Sequence, residues 1–325
     1  MREITFIEAT REALATAMAR DASIFVVGEG IGPRGGNFNT TTGLYDLYGP
    51  ERLRDTPISE RGFVGMCTGA AMTGSRPIVD FMFVAFIVDA MGELINQAAK
   101  LQYMSSGRLK MPLVLRGCIG IGHSAATHHS GSYFPHFVNI PGFRVVVPTT
   151  PYDAKGLFAT ALVSNDPVIF LEHKSILFQK GPVPETEYRI PFGQANVSRT
   201  GSDCTVVAVG AMVGKTLQAC QELAQSGVDV EVIDPRTLNP LDVDTVLESV
   251  HKTGRLLIVD ETFQPCGIGA EISAQVTDRG FDDLDAPIRR LNGAYAPTPY
   301  SPALESAVVP SVADIVAAVQ DLMAE

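Results

Sequence analysis

Short apolar runs alternate with amphipathic stretches along almost the whole chain, and that alternation limits the fold more than any other feature. Ser23-Ile24-Phe25-Val26-Val27, Pro77-Ile78-Val79-Asp80-Phe81-Met82-Phe83, Leu113-Val114-Leu115, Arg144-Val145-Val146-Val147 and Val168-Ile169-Phe170-Leu171 read as buried strands. Between them, residues 6–20, 87–104 and 152–163 place apolar side chains at helical spacing. Strands that take turns with helices form parallel sheets covered on both faces, with sites at the strands' carboxyl ends. Here those ends are Gly28, Phe83 and Gly117.

A proline-rich polar stretch over 179–187 interrupts the pattern. The alternation then resumes, with strands at 205–209, 230–233 and 255–259 and helices at 215–225, 243–251 and near 269–277. The expectation is two three-layer α/β domains with mostly parallel sheets, spanning 1–180 and 195–325, joined by a linker at 181–194. A chain of 325 residues can bury two such cores. No internal repeat or low-complexity segment is present.

Composition removes several functions. A net charge of −11 without clustered Lys or Arg argues against a nucleic-acid partner and against an anionic membrane surface. The most apolar run, 77–91, carries Asp80 and Asp89 and is too short to span a bilayer. The N-terminus leads directly into charged amphipathic sequence, with no apolar signal core. Five scattered cysteines predict buried, reduced thiols and a cytoplasmic setting.

Two glycine runs need weighing. Gly30-Ile31-Gly32-Pro33-Arg34-Gly35 follows a strand and fits a dinucleotide fingerprint, with Asp55 downstream for a ribose. That fingerprint works only if a helix starts inside the loop, and Pro33 followed by Gly36-Asn37-Phe38-Asn39 is a poor start. A plain surface loop is the expectation. Gly117-Cys118-Ile119-Gly120-Ile121-Gly122 reads as a sharp turn at a strand end.

The chemistry concentrates at Asp55-Thr56-Pro57-Ile58-Ser59-Glu60-Arg61-Gly62-Phe63. A proline turn delivers one glutamate, and an uncharged helix rich in Gly and Ala follows over 64–74. Glu60 either caps that helix through first-turn amides or is a working carboxylate whose protonation depends on what it touches. The adjacent His128-His129-Ser130 is a second cluster. No Cys, Asp or Glu stands at zinc spacing to it, and His123 is a weak third ligand. His136 is a secondary candidate, whereas His173 and His251 read as local structure.

These motifs, with Gly69-Ala70-Ala71-Met72 and Arg76-Pro77, resemble the beta subunit of the thiamine-diphosphate-dependent decarboxylase component of 2-oxoacid dehydrogenases, of pyruvate, acetoin or branched-chain type. The similarity runs over nearly the whole chain. It implies a transketolase-like pyrimidine-binding domain followed by a transketolase C-terminal domain. It also implies that Glu60 binds the ring nitrogen of the cofactor's aminopyrimidine, with Ile58 and Phe86 packed on that ring, although Phe86 is equally readable as a core phenylalanine. His129 would then handle protons on the substrate, or else it is a structural loop residue.

The superfamily's magnesium motif, Gly-Asp-Gly, is absent from this sequence. The resemblance therefore implies an alpha subunit that holds Mg2+ and the diphosphate, in an alpha2beta2 tetramer, and a dihydrolipoyl acyltransferase as acceptor. It also places a structural potassium ion near Leu113, Ala161, Leu162 and Asp166, with Ser164 and Asp166 standing where relatives have Asp and Asn. Asn139 takes the place of a second histidine, Asp80 that of a glutamate, and Gly92-Glu93 that of Asp-Gln. The expected activity is decarboxylation of a 2-oxoacid, or cleavage of acetoin, with transfer of the acyl group to a lipoyl acceptor. Alternatives are a split transketolase, a non-catalytic scaffold subunit, and a nicotinamide dehydrogenase dependent on 30–35.

Overall fold

The chain enters its first helix, Phe6–Arg20, through a capping box in which the Thr5 side chain accepts from the Glu8 amide and Glu8 accepts from the Thr5 amide. Such caps hold a helix start by about 1 kcal/mol. The computed structural model describes residues 1–325, which divide into two compact units. The first holds 1–119 and 136–192; the second holds 193–325 together with 120–135.

Within the first unit six parallel strands lie in the order Arg144–Val146, Val168–His173, Val114–Ile119, Arg76–Phe83, Ile24–Gly28 and Leu53–Asp55. Successive residues supply opposite faces. Val26, Ile78, Val114 and Val168 pack with Leu14, Met18, Leu157 and Phe158 from the helices Phe6–Arg20 and Pro151–Val163. Val27, Val79, Leu115 and Ile169 point the other way and are also fully buried. Each such aliphatic side chain contributes roughly 1.5–3 kcal/mol.

One ion pair sits inside this layer. Arg116 and Glu172 are 2% and 1% exposed, bonded in a two-point fork, with Arg116 Nη2 also donating to Thr10 Oγ1 at 2.9 Å. The Arg116 guanidinium lies 5.1 Å from the centre of the Phe158 ring. Removing either partner would leave a buried charge uncompensated, at a cost of about 3–5 kcal/mol.

The proline-rich stretch after the sixth strand is ordered onto this unit. Lys180–Val183 pairs antiparallel with Arg2–Thr5, an edge position that tolerates Pro182. Beyond it, the buried Lys155 ammonium donates to Glu12 Oε1 at 2.7 Å and to the carbonyls of Pro184 at 2.6 Å and Thr186 at 3.2 Å.

The helix expected over 87–104 is broken. It runs as Val84–Ile87, a tight turn at Val88–Ala90, Met91–Glu93, a π turn at Leu94–Ala98, and Leu101–Met104. The Ala99 amide reaches back five residues to the Leu94 carbonyl at 2.9 Å, and the wider turn keeps Leu94, Ala98 and Ala99 all buried. Gly142 explains the close packing there, since a Cβ on it would stand 2.2 Å from the Ala99 carbonyl oxygen.

In the second unit five strands lie in the order Arg289–Gly293, Leu256–Phe263, Cys204–Ala208, Val230–Asp234 and Asn196–Arg199, the last antiparallel. One face packs on the helices Met212–Gln225 and Val312–Met323 through Val206, Val232, Leu257, Ile315 and Val319. On the other face the Thr205 hydroxyl bonds Ser249 and Thr253 of the helix Val243–Thr253. The apolar stretch Pro302–Met323 has the length and hydropathy of a membrane span. It is nevertheless two helices, Pro302–Ala307 and Val312–Met323, interrupted at Pro310, and the second buries Ile315, Val319 and Leu322 in this core. Both units have the mostly parallel α/β build that the alternation predicts.

Four cysteines are buried, but Cys266 is exposed. It sits in the turn after the strand Leu256–Phe263 with a φ of 55°, which faces its side chain to solvent and corrects the expectation of uniformly buried thiols.

Candidate functional site

Glu60 is set by three pieces of local structure. Leu53–Asp55 pairs with Ile24–Gly28, so Asp55 lies opposite Gly28, and the Thr56 amide extends the pairing by donating to the Gly28 carbonyl at 3.1 Å. Pro57 ends the strand, Ser59 becomes the helix cap, and Glu60 opens the helix Glu60–Met72. Gly62 lets that turn close, because a Cβ there would lie 2.7 Å from Ser59 Oγ.

The helix's cap residue, Ser59, makes no side-chain cap bond, and Glu60 is the one acid of its first turn. Its side chain is 7% exposed and has no hydrogen-bond or ion-pair partner within the chain. Two residues away, Ile58 is 81% exposed. A buried acid without a protein partner beside an exposed aliphatic side chain is the reverse of ordinary burial, and it suits a ligand that is apolar on its face and basic at one atom.

Glu29 joins this site, although the spacing does not reveal it. It follows Gly28, whose own Cβ would stand 2.3 Å from the Asp80 carbonyl, so the two strands approach closely here. Burial first, and then the charge of Glu60, hold the Glu29 carboxyl above the usual range. The only advance signal was its place at a strand's carboxyl end.

Phe86 lies on Val84–Ile87, half-buried, edge-on to Phe83 at 5.9 Å between ring centres. Phe83 in turn meets Phe38 edge-on at 5.4 Å. Phe86 therefore takes part in aromatic packing while keeping part of its ring open.

The loop at 30–35 is no dinucleotide cradle. Its Gly32 amide donates to Asp55 Oδ1 at 2.9 Å, which occupies the acid a ribose would need, and no helix begins before Leu44–Tyr48.

The histidine segment belongs to the second unit. Gly117 lies inside the strand Val114–Ile119, and the chain turns only after Ile119, through Gly120 at φ 83° and Gly122 at φ 132°. His123, Ser124 and Ala126 then take φ values of 61°, 50° and 58°. Ala126 pairs its positive φ with a ψ of −163°, a region almost reserved for glycine, where each residue costs on the order of 1–3 kcal/mol. The segment ends in a tight turn, Thr127–His129, that leaves His128 exposed, His129 half-buried and Ser130 buried. His136 is exposed in the first unit. His173 accepts from the Ser175 amide at 3.2 Å, and His251 bonds Asp283 at 2.7 Å, both local contacts.

The oxygens named for a potassium ion are engaged elsewhere. Leu113 O accepts from the Val168 amide at 2.9 Å and Ala161 O from the Ser164 amide at 3.1 Å. Arg76 Nη1 donates to Leu162 O at 3.5 Å and Ser164 O at 2.8 Å, and its Nη2 donates to Asn165 Oδ1 at 2.9 Å. Asp166 pairs with Arg144 at 2.7 Å. Arg76 thus brings its guanidinium to two of these carbonyls, Leu162 and Ser164.

Comparison with known proteins follows the same outline. The family model of the transketolase pyrimidine-binding domain matches residues 2–179, and that of the transketolase C-terminal domain matches 193–315. The acetoin:2,6-dichlorophenolindophenol oxidoreductase subunit beta of Cupriavidus necator is 45% identical, over 99% of this chain and 98% of that protein. The pyruvate dehydrogenase E1 component subunit beta of Rickettsia felis is 43% identical, over 98% of each. A solved split-gene transketolase, an inactive beta4 tetramer, superimposes with a TM-score of 0.80 over 99% of each chain at 22% identity, which speaks to fold alone.

Proposed function

We propose a function from a premise those matches establish: this chain belongs to the transketolase-like family of beta subunits that includes those of pyruvate and acetoin dehydrogenases. The chain is the beta subunit of a thiamine-diphosphate-dependent dehydrogenase that breaks the bond beside the carbonyl of a 2-oxoacid or of acetoin. The acyl fragment passes to a lipoyl group on an acyltransferase partner. The single observation that carries this reading is Glu60, a largely buried acid whose carboxylate has no hydrogen-bond partner in its own chain, next to the exposed Ile58.

Bound thiamine diphosphate supplies the electron sink for the bond that breaks. Glu60 would hold a proton at the ring nitrogen of the aminopyrimidine, the work of a positioned carboxyl group. Ile58 and Phe86 give the pyrimidine an apolar bed and keep water from that proton. His129 moves a proton at the substrate's oxygen or at the acceptor, work that suits an imidazole.

The diphosphate end calls for a divalent cation. The sequence has no Gly-Asp-Gly, the superfamily's motif for that ion. An alpha subunit therefore carries Mg2+, in an alpha2beta2 assembly that places the cofactor between unlike chains. The buried cysteines agree with a reducing cytoplasm.

Coexpression with an alpha subunit, followed by assay on pyruvate, branched 2-oxoacids, acetoin and a ketose phosphate, tests the reading. Dehydrogenase activity on at least one of the first three, with no thiamine diphosphate bound by the isolated chain, is the expected outcome. Turnover of the ketose phosphate alone would make it a split transketolase. Tight, stoichiometric cofactor binding by this chain alone would end the shared-site account.

A further inference from the structure

The histidine turn is strained and rich in small residues, and the Gly120 amide closes it on the Gly131 carbonyl only at 3.4 Å. Its anchors come from far along the chain. The Ile121 amide donates to Glu261 Oε1 at 2.7 Å, and the next amide, Gly122, donates to Glu305 Oε1 at 2.9 Å. Farther on, Thr127 Oγ1 donates to the Thr298 carbonyl at 2.9 Å.

Both carboxylates stand on firm supports. Glu305 is 6% exposed on the helix Pro302–Ala307, where its amide bonds the Ser301 carbonyl at 2.7 Å. Glu261 lies on the strand Leu256–Phe263, and its carbonyl is so close to Gly293 that a Cβ there would stand 2.3 Å away. A side chain bonding a main-chain amide reads no side-chain identity on the loop; it fixes only the path of the backbone. Two such bonds on consecutive amides set both the position and the direction of the chain at residues 121 and 122. Hydrogen bonds that end on a charged group are the stronger kind.

We propose that Glu261 and Glu305 are positioning residues for the proton step assigned above to His129. They clamp residues 121 and 122 and so hold the strained 123–126 path that delivers the Thr127–His129 turn. The proposal rests on the catalytic reading of His129, but the clamp itself can be tested without it.

The test uses the full chain in its coexpressed complex, with Glu261→Ala, Glu305→Ala, the two Gln variants and His129→Ala. Hydrogen exchange of peptides covering 120–130 reads the clamp directly. In the Ala variants exchange there should rise about tenfold or more, as expected for losing a bond to a charged acceptor. Exchange across the Glu60–Met72 helix and thiamine diphosphate affinity should stay unchanged. Turnover should fall about tenfold to a hundredfold. Gln keeps an accepting oxygen and should restore both readouts, which also controls for misfolding. Combining either Ala change with His129→Ala should add little further loss.

Unchanged exchange over 120–130 in both Ala variants would overturn the clamp. A loss of turnover that is just as large in the His129→Ala background would overturn the positioning role. If His129→Ala alone leaves turnover intact, the catalytic reading of His129 and the positioning role both fall, while the exchange measurement still decides whether the clamp exists.

Discussion

The start of the helix Glu60–Met72 and the turn Thr127–His129 both present a chemically able side chain, but they are held in opposite ways. Glu60 is placed by its neighbours in sequence: a strand partner at Gly28, a proline, a serine cap and a glycine that lets the turn close. The His129 turn is placed by carboxylates 140 and 183 residues distant from the amides they bind. A site built locally can be carried by a short motif. One held from a distance needs a second folded unit to exist first.

The largest test of that contrast is Glu60→Gln. It keeps the shape of the helix start and removes the exchangeable proton, so turnover of the coexpressed enzyme should fall about a thousandfold, within the range of general acid–base catalysis. Melting temperature should hold. An undiminished rate would return Glu60 to a purely structural place at the helix start.

Next comes His129→Ala, with about a hundredfold loss in acyl transfer and unchanged cofactor affinity by calorimetry. Loss of cofactor binding instead would mean that the histidine turn shapes the cofactor pocket itself.

A smaller effect is expected beside the clamp. Asp260, fully enclosed, has its carboxyl pushed up to about 6, by burial first and then by Glu261, against the Thr262 hydrogen bonds. Its folded value exceeds its unfolded one, so the folded state keeps that proton longer. The resulting penalty is absent below about pH 4, grows as pH rises through about 6, and is complete above it. Asp260→Asn should therefore stabilise the chain by about 2–3 kcal/mol at pH 8 and by almost nothing near pH 4, measured by denaturant titration. A gain that is independent of pH would place the effect in packing instead of charge.

The smallest expected effect lies on the locally built side. Gly28→Ala would drive a Cβ into the Asp80 carbonyl and part the strands beside Glu29, costing about 1–3 kcal/mol in thermal unfolding. A neutral result would show that the local frame is looser than its contacts suggest.

How much of this was legible in the sequence follows the same division. Buried strands with β-branched residues, and the capped helices Phe6–Arg20 and Pro151–Val163, are dictated by nearby residues, and the two-sheet plan follows from them. Glu60 stands out for the same reason, and Ile58 through the family resemblance. The π turn at Leu94–Ala98 was not, because apolar residues at helical spacing do not distinguish a turn that is one residue wider. Nor could spacing show that residues 120–135 group with the second unit, or that Glu261 and Glu305 bind them. Carbonyl oxygens carry no side-chain signature, so the engagement of Leu162 and Ser164 by Arg76 was equally hidden.

Lys155 carries a practical lesson for anyone who wishes to separate the two halves of this molecule. A gene cut after residue 180 would delete the carbonyls of Pro184 and Thr186 and leave the buried Lys155 ammonium with Glu12 as its remaining partner. Ile190, whose amide and carbonyl are tied to Gly156 and Thr160, would be lost with them. A stop codon placed past Phe192 would spare all of these, and the excised half should then remain dispersed where the shorter one precipitates.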